Sequence, residues 1–179
     1  NHMLMPTSYG DSDAEYQALT QRVSIWDVAC ERQVEVVGPD ALSLIQYLSA
    51  RDMSTCPVGR ARYTPICDHA GKLINDPITL RLSDDRFWLS TADGDLELWV
   101  RAVAVERGLD CTVFEPDVSP LAVQGPRADD AMVDLLDEWA RDLAFFAFVE
   151  TNLDGIPLVV CRSGWSGQGG FELFLTDGS

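Results

Sequence analysis

The chain has 179 residues, 46% of them hydrophobic and 23% charged, with 13 Lys plus Arg against 29 Asp plus Glu and a net charge of -16. That is a globular composition, long enough for one average domain or two small ones. The anionic surface argues against nucleic acid and anionic membranes as partners. No apolar run approaches the ~20 residues needed to span a bilayer, and no secretory leader is recognisable.

Five cysteines (Cys30, Cys56, Cys67, Cys111 and Cys161) are odd in number, widely spaced and form no C-x-x-C pair. They argue against a disulfide framework and a zinc site, and they suit a reducing, cytoplasmic compartment. Only His2 and His69 are available as histidine ligands, so no metal is expected.

The opening "NHMLMPTSYG" reads equally as native sequence or as a cloning remnant around His2-Met3. Asp11 to Arg22 predicts a helix capped by Asp11 or Ser12. Two strand-like runs follow, "SIWDVA" and "RQVEVVG", the second alternating Val34 and Val36 with Gln33 and Glu35. "GPDALSLIQYLSA" predicts a helix with Pro39 in its first turn. "ARYTPIC", "KLINDPITLRLS" and "RFWLSTA" predict three strands joined by the turns "DHAGK" and "DDR". "DGDLELWVRAVAVERG" predicts a helix with acids at its start and Gly108 as its stop, and "LDCTVFE" another strand.

The pattern then returns. "SPLAVQGPRADDAMVDLL" repeats the strand, Gly-Pro, helix plan of "RQVEVVGPDALSLIQYL", and two more strands follow, "IPLVVCR" and "GFELFL". The repeat predicts two related α+β halves, each resembling a split β-α-β (ferredoxin-like) unit. The boundary is placed between a first domain over 1–115, including the N-terminal helix, and a second starting over 116–179. The second half ends just after a strand, so the natural protein is expected to continue and supply the missing C-terminal part.

Four places could carry chemistry. Asp76 sits inside an apolar strand pattern directly before Pro77, where a carboxylate loses water and needs a proton or a partner. Pro77 implies a strand edge or bulge, which often aims side chains into sites; a solvent-facing or turn-capping Asp is the plain alternative. Tyr63 should neighbour Asp76 across the "DHAGK" connection, though such a Tyr is more often core. In "RSGWSGQGGFEL", Gly164, Gly167, Gly169 and Gly170 surround Trp165, whose ring face suits an onium cation, and Glu172 follows in the next strand. The plain alternative is a hairpin loop pinned by its Trp. Ser90 ends a strand before a helix, where capping competes with anion binding, and Thr91 and Asp93 compete for the cap. Phe145, Phe146 and Phe148 read as packing residues.

The segments "SIWDVACERQVEVVGPDA", "RARYTPI", "LINDPITLRLSDDRFWLSTAD", "SPLAVQGPRA" and "RSGWSGQGGFELF" resemble the folate-binding aminomethyltransferase superfamily, in order and over nearly the whole chain. "WDVACERQVEV", "INDPITL", "EPDVSPLAVQGP" and "GWSGQGGFE" look closest to its dimethylsulfoniopropionate demethylase branch, whereas glycine-cleavage T-proteins show a paired "DD" at Asn75-Asp76 and "GYTGEDGFE" at the Trp165 motif. The resemblance favours a native N-terminus and implies a cloverleaf-like fold with tetrahydrofolate as cofactor. It implies Tyr63, Asp76, Ile78 and Glu172 at the cofactor, Asp76 as the catalytic acid, and Ser90 and Trp165 at the substrate. One departure is Phe174, where the demethylase pattern has Tyr.

The implied activity is tetrahydrofolate-dependent transfer of a methyl group from dimethylsulfoniopropionate or a similar small donor. Aminomethyl transfer in glycine cleavage and a non-catalytic folate-binding module are the alternatives. A small-molecule methyl donor is the expected partner, and the family analogy admits a homodimer.

Overall fold

A computed structural model describes residues 6–92 and 94–177. The reading of the opening Asn1–Met5 and of Asp93 as a cap lies outside the described residues. The chain divides into two compact units, Cys30–Asp117 and the segment ending at Ala29 together with the chain from Val118 on.

Helix α1 (Ser12–Gln21) opens the described chain, with the Asp11 carboxylate accepting from the backbone N–H groups of Asp13 and Ala14. It is followed by strand β1 (Ser24–Asp27). In the first unit, β2 (Gln33–Val37), α2 (Ala41–Leu48), β3 (Arg60–Tyr63), β4 (Ile66–Cys67), β5 (Leu73–Asn75), β6 (Ile78–Arg81), β7 (Arg86–Ser90), α3 (Leu96–Glu106) and β8 (Thr112–Phe114) follow in order. A 3-10 turn at Met53–Thr55 joins α2 to β3. The main sheet runs β3-β6-β7-β2-β8 and every pairing in it is antiparallel; β4 and β5 form a separate two-stranded ribbon.

The expected single strands "ARYTPIC" and "KLINDPITLRLS" are each broken in two at their prolines. Pro65 and Pro77 have no N–H to give a ladder, and the Thr64 N–H instead donates to the Pro77 carbonyl at 2.9 Å. The ladder therefore stops at Thr64 and Asp76, and the chain leaves the main sheet for the β4–β5 ribbon. Asp76 stands in that gap, between strands rather than on one.

Both faces of the β2–β7 pair are buried. Val34, Val36, Phe87 and Leu89 pack on Leu44 and Ile45 of α2 and on Leu96 and Val100 of α3. Gln33, Glu35, Trp88 and Ser90 occupy the opposite face and are also buried. The alternation of β2 thus sorts hydrophobic from hydrogen-bonded burial rather than core from solvent. Glu35 is satisfied by Arg86 Nε at 2.6 Å and Trp88 Nε1 at 2.8 Å.

The second unit carries β9 (Ser119–Gln124), α4 (Ala128–Leu135), α5 (Trp139–Asp142), β10 (Phe148–Leu153), β11 (Ile156–Cys161) and β12 (Gly170–Leu175). Its sheet runs β1-β9-β12-β11-β10, again antiparallel throughout. Position for position, β9, β10, β11 and β12 match β2, β3, β6 and β7. Beside β9, where the first unit has β8, stands β1. The α+β repeat expected from sequence is therefore present, each half having one strand more than a four-stranded ferredoxin-like unit. The expectation that the N-terminal helix belongs with residues 1–115 is not met. The register Ser24↔Gln124 to Asp27↔Leu121 ties β1 to the second unit's sheet.

The repeated Gly-Pro corner has a steric cause. Gly38 and Gly125 adopt φ of +137° and +132°, and a Cβ would stand 2.7 Å from the Asp110 carbonyl oxygen at the first and 2.6 Å from that of Arg22 at the second. Only glycine lets the strand turn into its helix with another chain segment so close. Strand β10 was not expected from sequence. It pairs with β11 through a two-residue turn in which Asp154 and Gly155 both have positive φ, the geometry for which Asp-Gly is a strong signal. Of the three phenylalanines read as packing, Phe148 is buried, whereas Phe145 is 62% exposed.

Candidate functional site

The register of the first unit gathers most of its predicted site residues. Tyr63 pairs with Ile78, Ile78 with Ser90, and Ser90 with Gln33. Directly opposed residues of antiparallel strands point to one side, so these four form a single row on the face opposite the helices. Asp76 joins the row at its Tyr63 end: the Tyr63 hydroxyl donates to Asp76 Oδ2 at 2.7 Å. Asp76 is half-buried, and its partner is a phenol rather than the cation or proton its sequence context suggested. This bond, with burial and the carboxylate's charge behind it, holds the Tyr63 hydroxyl above its ordinary value. The phenol therefore stays a donor at neutral pH.

Ser90 closes β7 and is buried. The capping alternative is not realised, because α3 begins at Leu96 with Asp95 at its cap position. The Thr91 hydroxyl donates to the Arg32 carbonyl at 2.9 Å. Ser90 Oγ instead accepts a hydrogen bond from Gln33 Nε2 at 3.1 Å.

The second unit holds Glu172 and Trp165. Glu172 sits on β12 opposite Ala122 and Cys161, on the side away from the Phe171 and Leu173 core that packs on α4. It is 6% exposed, and burial pushes its carboxyl above the usual carboxylate range, an effect that the Ser163 hydroxyl opposes by donating to Oε2 at 2.5 Å. Trp165 is 76% exposed, so it does not pin its loop as the plain alternative supposed.

The loop is held by Gln124, a residue that sequence reasoning missed. Gln124 Nε2 donates to the Ser163 carbonyl at 3.1 Å, and its Oε1 accepts from the Ser166 hydroxyl at 2.8 Å. These bonds grip the chain on both sides of Gly164-Trp165. A Cβ on Gly164, at φ +149°, would collide with the Gln124 amide. The glycine therefore answers to a buried side chain, and a large ring is left free at the loop's tip. Nothing local marked Gln124, since the bonds by which it grips the loop cross 39 and 42 residues of sequence; its place at the end of the second repeat strand was the sole available hint.

Asp76 in the first unit and Glu172 in the second are each a carboxylate steadied by one hydroxyl, so that each could accept from an N–H group such as those of a pterin ring. Among the described residues, no group of three His, Cys, Asp or Glu side chains is placed to hold a metal ion. No described helix is long and apolar enough to cross a membrane.

The first unit thus carries a carboxylate–phenol pair, and the second, on the same antiparallel strand plan, a tryptophan loop gripped by Gln124. Residues 1–179 match the family described as the GCVT N-terminal domain, and the chain belongs to that family, whose members use tetrahydrofolate. Among individual relatives, it is 49% identical over 175 residues to dimethylsulfoniopropionate demethylase DmdA of Ruegeria pomeroyi, covering 98% of this chain and 48% of that protein. It is 31% identical to an aminomethyltransferase of Halalkalibacterium halodurans, covering 95% of this chain and 47% of the other. The fold matches the crystal structure of glycine cleavage system aminomethyltransferase T from Bartonella henselae with a TM-score of 0.81 at 25% identity, over 90% of this chain and 44% of that one. The chain thus spans about half the length of these relatives.

Proposed function

We propose that this chain is the folate- and donor-binding part of a tetrahydrofolate-dependent methyltransferase that demethylates dimethylsulfoniopropionate in the cytoplasm. The observation that carries this reading is the 49% identity to the demethylase across 98% of the chain, well above the 31% to the aminomethyltransferase. The exposed indole of Trp165 supports it, because a sulfonium is a cation best held against an electron-rich ring face.

Tetrahydrofolate, when bound, supplies the nitrogen that receives the one-carbon group. Asp76 and Glu172 each accept from pterin N–H groups, Tyr63 orients the Asp76 carboxylate, and Ile78, which pairs with Tyr63 in the first unit's sheet, offers an apolar surface to the cofactor. Trp165 holds the sulfonium, and Ser90 donates to the donor's carboxylate. A sulfonium methyl is already activated, since a neutral thioether leaves. The protein's task is therefore mainly alignment, a gain from proximity and orientation.

Aminomethyl transfer is the second reading, favoured by the 0.81 TM-score to the glycine-cleavage enzyme. Mass spectrometry of tetrahydrofolate incubated with the full-length protein and dimethylsulfoniopropionate separates the two. The demethylase reading expects 5-methyl-tetrahydrofolate and methylmercaptopropionate. No transfer with folate still bound would sink it and direct attention to Phe174, buried on the Glu172 side of β12 without the hydroxyl of the demethylase pattern. In the active enzyme Asp76 would also take up the proton that the acceptor nitrogen gives up on methylation, so Asp76→Asn should lower turnover by about 10²-fold or more, the scale of general acid–base catalysis, while folate affinity falls less. A non-catalytic module would show a change in affinity alone.

A further inference from the structure

We infer that Gln33 is a positioning residue that turns the Ser90 hydroxyl proton outward, toward an anionic group of the methyl donor; this rests on the donor reading above. Gln33 is 1% exposed and starts β2 directly opposite Ser90. Its Nε2 donates to the Glu31 backbone carbonyl at 2.8 Å and to Ser90 Oγ at 3.1 Å.

The first of those bonds fixes the amide's orientation. A carbonyl oxygen can only accept, so the amide must present its NH2 group there, and the reverse rotamer would set two oxygens against each other. The second amide hydrogen then meets Ser90, whose Oγ is cast as acceptor. Its own proton must leave in another direction, and among the described residues none receives it.

The arrangement is held at a cost. Gln33 Oε1 is buried with no hydrogen-bond partner, and such an orphan is unfavourable wherever it occurs. Turning the amide to satisfy that oxygen would strand the NH2 group and free Ser90 to point inward. The polarity retained leaves a donor on the row that also holds Ile78 and Tyr63, where a carboxylate can be met by a charge-assisted hydrogen bond. A serine without this neighbour would rotate its hydroxyl freely and lose part of its preference for an anion.

Gln33→Glu tests the polarity while keeping the shape. Protonated, the glutamate has one hydrogen where glutamine has two; ionised, it has none. Ser90 therefore meets an acceptor and turns its proton inward. Binding is read by titration calorimetry on the full-length protein with folic acid, whose oxidised ring takes no methyl group, so that no turnover intervenes. The inference expects Q33E to weaken dimethylsulfoniopropionate binding roughly tenfold or more, with binding of trimethylsulfonium, which has no carboxylate, unchanged. Ser90→Ala should weaken it similarly, and Q33E should add little in that background.

Equal affinity of wild type and Q33E for dimethylsulfoniopropionate would overturn the role of Gln33 and leave the donor reading intact. A parallel loss for trimethylsulfonium would reduce the effect to packing and overturn it as well. No dimethylsulfoniopropionate binding by the wild type would bring down the donor reading and this inference together.

Discussion

Glu172 shows at the scale of one residue how the site is held against stability. Its carboxyl is buried on a strand, and burial raises its affinity for a proton in the folded state. A folded-state value above the unfolded one means that the native protein binds more protons in the window between them. Stability from this group is therefore fully present below its ordinary value of 4.5 and is lost as the pH climbs through the raised value. Glu172→Gln removes that dependence and keeps an acceptor oxygen. The variant should melt at a higher temperature than wild type near neutral pH, with the difference closing as the pH is lowered toward 4.5. Its folate affinity should fall. Thermal melts across the pH range check this; a variant that melts lower at neutral pH would show that the Ser163 bond outweighs the burial.

Much of this was legible in residues because the chemistry is local there. An acid inside an apolar strand pattern marks itself, and both Asp76 and Glu172 were found that way. Their partners were less accessible. The Tyr63–Asp76 bond spans 13 residues and follows from a short connection between neighbouring strands, so its neighbourhood could be anticipated but not the phenol–carboxylate contact. Gln124 and Ser163 become relevant only once β9, β12 and the loop before β12 are side by side. Gln33 stood in the sequence only as an alternate of Val34 and Val36, because alternation does not reveal that both faces are buried.

At the scale of elements, the tryptophan loop depends on a strand that precedes it by some forty residues. Gln124 ends β9 and bonds to both ends of the Gly164-Trp165 segment, so loop and sheet form one mechanical unit. Gly164→Ala places a methyl group on the Gln124 amide at a backbone angle that alanine rarely adopts. The cost should be about 1–3 kcal/mol, as for other strained backbone positions. The expected result is a lower melting temperature together with a raised KM for the methyl donor, folate affinity being much less affected. Denaturation and steady-state kinetics measure the two halves of that statement. An unchanged KM would mean that the position of Trp165 does not govern donor binding. The Gly-Pro corners were readable because their cause is steric and sequence-local. The β10–β11 hairpin shows the limit: its Asp-Gly turn was present, but β10 begins beside an aromatic cluster that reads as packing.

At the scale of the whole molecule, the two halves use one plan with different sources for one strand. The first unit fills the position beside β2 with β8, which its own chain supplies after α3. The second fills the position beside β9 with β1, from more than ninety residues earlier in sequence. Sequence could show the repeat but not this exchange, because β1 lies next to β2 in the chain and nothing in "SIWDVA" names its partner. An unpaired edge of β9 would expose backbone donors and acceptors that water or another strand must then satisfy. Gly125 adds a steric tie, since its lack of a side chain admits the Arg22 carbonyl at the corner between β9 and α4, and Arg22 in turn accepts from the Arg127 N–H at 2.9 Å. Deleting Pro6–Ala29 from the full-length protein should therefore unsettle the second unit selectively. Hydrogen exchange is expected to accelerate in Ser119–Gln124 and in β12, while β2, β6 and β7 keep their protection, because no strand of the first unit's sheet comes from the deleted segment. Uniform acceleration in both units would instead show that they unfold as one cooperative body, and that the division at Asp117 has no energetic meaning.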